Sequence, residues 1–184
     1  MNNNFFEVKN VDFKAGGKTK VSNVSFAIEK EGDIICLLGP SGIGKTTILR
    51  TIAGLEKINN GSIELKGKIL SSAKENIEPE HRNISLAFQE NSLFPHYNVK
   101  KKILLGADRN KDKKNHQVSF QEIVKLLDIS FILNKYPHEI SAGEAQRASL
   151  ARSLISQPDL LLLDEPLSNV DQSFKEEIQE KLKK

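Results

Sequence analysis

The chain has 184 residues, 38% of them hydrophobic and 28% charged, enough for one sizeable core and little for a second. Its net charge is only +3, and basic residues gather just at Lys100–Lys102 and across Arg109–Lys114, which read as a solvated helix end and a loop. No nucleic-acid partner is therefore expected. A single cysteine, Cys36, allows no internal disulfide and suits a reducing compartment. No signal-peptide pattern opens the chain, and no apolar run approaches the roughly 18 residues of a membrane span.

The first predicted elements are two half-buried strands, Phe5 to Phe13 and Val21 to Ile28, with alternating apolar and polar side chains and a turn at Gly16 and Gly17. The apolar run from Asp33 to Leu38 reads as a strand with Cys36 buried in its middle. It feeds Gly39-Pro40-Ser41-Gly42-Ile43-Gly44-Lys45-Thr46 and then Thr47, a glycine-rich loop opening a helix that reaches about Ala53. Gly61 to Leu70 predicts a hairpin turning near Lys66 and Gly67, and Asn83 to Phe88 a further strand. From Val99 to Lys135 the period is mostly helical, interrupted by the polar stretch from Arg109 to His116. A helix behind Ser141 runs to about Ser156, and Leu160–Leu163 reads as a strand of a parallel sheet covered on both faces. A charged helix from Gln172 to Lys184 ends the sequence.

Two of these junctions carry chemistry. The glycines of the loop leave room for backbone N–H groups to turn inward on a phosphate, which the helix N-terminus faces with its positive dipole end. In such a loop Lys45 reaches the β- and γ-phosphates, and the Thr46 hydroxyl holds Mg²⁺. Asp164 and Glu165 stand at the carboxyl end of the leucine strand, the end of a parallel sheet where ligands sit. Asp164 is placed to hold Mg²⁺ and Glu165 to polarise an attacking water.

The segment Ile140-Ser141-Ala142-Gly143-Glu144-Ala145-Gln146-Arg147 resembles the signature motif of the ATP-binding cassette (ABC) ATPases, usually Leu-Ser-Gly-Gly-Gln followed by a basic residue. Ser141 and Glu144 also form a helix capping box, and the two readings are compatible. The resemblance implies that Ser141, Ala142, Gly143 and Glu144 contact the γ-phosphate of ATP held by the opposite subunit. Ala142 stands where glycine is usual, adding a methyl where a phosphate approaches, and Glu144 stands where Gln is usual. Gln89 resembles the glutamine of the family's Q-loop, which contacts Mg²⁺ and the lytic water. Ser168-Asn169-Val170-Asp171 follows the acidic pair as the family's D-loop does, implying a dimer-seam role for Asp171. Pro79 to Gln89, with Leu93 to His96, is similar to bacterial importers of the maltose, polyamine, sulfate and ferric-iron groups.

The resemblance implies one ABC ATPase domain across residues 1–184, with the C-terminal part of the fold missing. Its fold class is α/β: a P-loop NTPase core of the ABC type with an N-terminal antiparallel β subdomain (1–88 and 156–184), and an inserted α-helical subdomain (89–155) carrying the signature. The implied function is the ATP-binding and ATP-hydrolysing subunit of a bacterial importer. Two cassettes, as a homodimer or a pair with a similar chain, would close on ATP and Mg²⁺. Integral membrane permease subunits would be separate chains, placing this one on the cytoplasmic face of the cell membrane. A soluble ABC ATPase and a non-hydrolysing regulatory cassette are the rivals. The second draws on Ala15, which occupies the place of the family's adenine-stacking aromatic while Phe13 reads as strand core, on Ala142, and on the missing switch histidine. That histidine belongs to sequence past Lys184, so the 184-residue chain alone is expected to be a poor ATPase.

Overall fold

A computed structural model describes residues 4–15, 19–87, 96–107 and 118–165, divided into two compact units between Asn83 and Ile84. In the first, β1 (Phe6–Ala15) and β2 (Thr19–Ile28) pair antiparallel, and β3 (Ser62–Leu65) and β4 (Lys68–Ser72) extend the sheet in the order β2-β1-β3-β4. The inward residues of β1 change phase along the strand: Phe6 and Val8, then Val11 and Phe13, all at most 1% exposed. A register shift between Val8 and Val11 makes this possible, and Asn10 there takes a left-handed φ of 48°. One extra residue in the strand thus keeps both halves of the apolar pattern on the core face. Phe13 is strand core, as the sequence suggests. The β3–β4 hairpin turns on Lys66 and Gly67, with φ of 51° and 76°, the backbone of a two-residue turn that matches strand twist. Helix α1 (Lys45–Ile52) contacts β1 and buries Ile48 and Ile52.

The expected strand from Asp33 to Leu38 is not formed. Among the described residues this run joins no ladder, and Ile34 and Leu38 are 64% and 91% exposed. Cys36 is likewise exposed, which corrects its reading as a buried thiol. Apolar composition favours burial, but a strand exists only where a neighbouring backbone completes its hydrogen bonds.

In the second unit β5 (Ile84–Ala87) pairs in parallel with β6 (Leu160–Leu163), residue for residue from Ile84↔Leu160 to Ala87↔Leu163. Helices α2 (Val99–Ala107), α3 (Phe120–Leu126) and α4 (Ala142–Ile155) share a core of Val99, Ile103, Ile123, Leu127, Leu150 and Ala151. Gly106 lets α2 lie against α4, since a β-carbon there would run into the Arg152 carbonyl oxygen. The expected helix from Gln172 and the turn at Gly16 and Gly17 fall outside the described residues.

Candidate active site

The glycine-rich loop ends in Gly44, the N-cap of α1, at φ 109°. A glycine cap has no side chain to accept the first-turn N–H groups, and no acidic residue stands in that turn. The positive end of the helix is left for an external anion. Gly42 also takes a left-handed φ of 82°, and Ser41, Gly42, Ile43 and Thr46 are exposed. Lys45 donates from Nζ to the carbonyl oxygens of Gly39 at 2.8 Å and Pro40 at 3.1 Å, folding its ammonium onto the loop that precedes it. An arriving phosphate competes for that ammonium with neutral acceptors, an exchange that favours the anion. Thr47 is half-buried, and its carbonyl accepts from Thr51 Oγ1 at 2.8 Å.

The other end of α1 is held by Arg82, 3% exposed. Its guanidinium donates to the carbonyls of Ile52 (2.7 Å) and Thr51 (3.3 Å) at the helix C-terminus, and to Leu70 (3.1 Å) and Ile77 (2.7 Å). It also reaches Ser71 Oγ at 2.7 Å and Asn76 Oδ1 at 3.0 Å. A cation at a helix C-terminus meets the negative end of the macrodipole. Burial pushes the Arg82 pKa down to about 10, with Glu78 pulling it up, so the group stays charged at neutral pH. Gly54 makes room: at φ 90°, a β-carbon there would stand 2.6 Å from Arg82 Nε.

In the second unit Asp164 is 7% exposed, and its N–H donates to the Ala87 carbonyl at 3.1 Å, the final bond of the β5–β6 ladder. Glu165 follows with an exposed side chain and a left-handed φ of 47°. Its carbonyl oxygen accepts from Gln146 Nε2 on α4 at 3.0 Å, so the acidic pair and the signature helix are joined within this unit.

That helix starts with the expected capping box: Ser141 Oγ accepts from the Glu144 N–H at 3.2 Å, and the Glu144 carboxylate accepts from the Ser141 N–H at 2.6 Å. The Ser141 backbone N–H holds the Glu144 carboxyl below the usual range, and it is ionised at neutral pH. Ser141 and Ala142 are exposed, Gly143 half-buried. Gln89 and Asp171 lie outside the described residues, as does the side chain of Ala15. The donor set expected for Mg²⁺, the Thr46 hydroxyl, the Asp164 carboxylate and the Gln89 amide, is all hard oxygen and suits that ion. Among the described residues no three His, Cys, Asp or Glu form a metal cage. Sequence reasoning missed Arg82 and Gln146; both sit inside quoted motif segments, but neither spacing nor residue type announces an acceptor far along the chain.

A profile of the ABC transporter family matches residues 21–168, and the chain belongs to that family. It is 36% identical over 183 residues to the Fe(3+) ions import ATP-binding protein FbpC 2 of Haemophilus influenzae, matching 99% of this chain and 51% of that protein. It is 40% identical over 174 residues to the spermidine/putrescine import ATP-binding protein PotA of Chromobacterium violaceum, matching 94% and 47%. The chain spans about half the length of these curated relatives. Among solved structures, a dimeric ATP-binding cassette in a post-hydrolysis state with ADP and Pi superposes with a TM-score of 0.76 at 24% identity, over 95% of this chain and 80% of that one. A nucleotide-free cassette from an ABC transporter gives 0.76 at 22% identity, over 97% and 76%. The fold is that of an ABC ATPase cassette.

Proposed function

We propose that this chain is the ATP-binding and ATP-hydrolysing part of a bacterial ABC importer. The observation that carries the reading is the end of α1, where a glycine cap leaves the helix N-terminus to an anion and Lys45 rests on loop carbonyls it can exchange for phosphate. In this reading Gly39 to Thr47 cradle the phosphates of ATP, and Lys45 binds between β and γ. Thr46, Asp164 and Gln89 hold Mg²⁺, which supplies charge neutralisation on the phosphates. Glu165 polarises the attacking water beside Gln89, while Ser141 to Glu144 meet the ATP of a second cassette and Asp171 lies at that seam. The family membership and the import proteins among its relatives support this assignment.

Closure of two cassettes on ATP and reopening after hydrolysis is a population shift that permease subunits would convert into import. No helix among the described residues is long and apolar enough to cross a membrane. The reading puts the chain at the inner face of the membrane beside a separate permease. The division into an ATP-binding core of 1–88 and 156–184 and a helical part of 89–155 belongs to the same reading. The test is Lys45→Ala: MgATP binding should be lost by nucleotide titration, with the circular dichroism spectrum unchanged. Parent affinity in that variant would remove Lys45 from the site and overturn the reading.

A further inference from the structure

We propose that Gln146 is a positioning residue for hydrolysis, holding the backbone of Glu165 and thereby aiming its carboxylate. The inference rests on the role assigned to Glu165 above. Asp164 is fixed by the ladder through its bond to Ala87, but Glu165 lies past the last ladder bond. At φ 47° it occupies a region that residues other than glycine keep only when their surroundings hold them there. One hold is the 3.0 Å bond from Gln146 Nε2 to the Glu165 carbonyl oxygen, made by a residue that is 2% exposed and carried on α4. The Cα–Cβ vector from which the exposed Glu165 side chain starts is set by the turn of this backbone, so the backbone limits where the carboxylate can reach. Loss of the bond lets the peptide relax toward common φ values and swings the carboxylate away from its water.

The test uses the protein at its full natural length and four variants: Gln146→Met, of similar length without a donor; Gln146→Glu, which turns an acceptor toward the carbonyl; Glu165→Gln; and Gln146→Met combined with Glu165→Gln. Steady-state phosphate release should fall about tenfold in kcat for both Gln146 variants, the size of one hydrogen bond, with KM for ATP within about twofold. A purely structural role would instead move melting temperature, KM and kcat together. In the Glu165→Gln background, single-turnover hydrolysis should be unaffected by adding Gln146→Met, because Gln146 acts through Glu165. If Glu165→Gln is inactive yet both Gln146 variants turn over at the parent rate, or the double variant loses the full additional factor, the inference is overturned. Parent-rate hydrolysis by Glu165→Gln would instead overturn the role of Glu165 itself.

Discussion

Replacing Arg82 should cost the first unit more stability than almost any other single polar change. Its guanidinium makes six hydrogen bonds, to Thr51, Ile52, Leu70, Ser71, Asn76 and Ile77, and none of these acceptors is a carboxylate. The charge is therefore balanced by carbonyl dipoles and by the C-terminal end of α1. Arg82→Met keeps much of the stem's volume and removes the guanidinium from all six acceptors, of which the Thr51 and Leu70 carbonyls and Asn76 Oδ1 keep a second donor in Gly54 N–H, Ile77 N–H and Ser71 Oγ. Bonds to a charged group are worth about 1.5–3 kcal/mol each, but acceptors left together relax together. Loss of one partner in a buried charged network typically costs about 3–5 kcal/mol, and that is the expected destabilisation here. Arg82→Lys keeps the charge with three donors instead of five, so it should recover about half of the loss. Denaturant unfolding of both variants at neutral pH gives the numbers. An Arg82→Met loss under about 1 kcal/mol would show the network to be replaceable and refute the reasoning. A loosened α1 should also raise the KM for ATP, since the same helix carries Lys45 and Thr46 at its other end.

Lys102 is fully buried, and its ammonium has no hydrogen-bond partner among the described residues; burial, with the Arg152 charge adding to it, pushes its pKa down. The unfolded chain thus binds more protons as pH rises toward 10.5, so stability climbs with alkaline pH, and Lys102→Met should add about 1–2 kcal/mol at neutral pH and flatten that climb in denaturant titrations. Glu144 has the opposite sign: its lowered folded pKa contributes stability above about pH 4.5 that is lost as pH falls through the folded value, visible in a carboxyl carbon-13 titration. Glu144→Gln should keep the cap, remove that acid sensitivity and lessen negative charge at the head of α4.

The motifs that carry chemistry were legible because each is local. The glycine spacing around Lys45, the Ser141–Glu144 box and the leucines before Asp164 fix their own backbone within a few residues, and all three stand where the sequence places them. Asp33 to Leu38 failed for the complementary reason. Five apolar residues favour burial, but no ladder partner is encoded in them, and they stay outside any strand and largely exposed. Arg82 and Gln146 escaped notice because their acceptors lie as far as 31 and 19 residues away, at Thr51 and Glu165. No periodicity reports such pairings; only the folded unit brings them together.

The N-termini of α1 and α4, one in each unit, are built on opposite principles. In α1 glycine supplies the cap, no acid stands in the first turn, and Lys45 donates to two neutral carbonyls. That end attracts an anion, which has only two neutral carbonyls to displace from Lys45. In α4 the cap is a serine, and an ionised Glu144 already occupies the helix head, closing on the Ser141 N–H at 2.6 Å. An anion arriving there meets a like charge and a satisfied donor, so it gains less than at α1. Under the proposed function, the asymmetry predicts that ATP binds first at the loop before α1, and that the Ser141–Glu144 segment adds its contact only when a second one helps to offset its internal cap. On that reading binding precedes pairing, and replacing Ala142 or Glu144 should change the strength of pairing rather than that of capture.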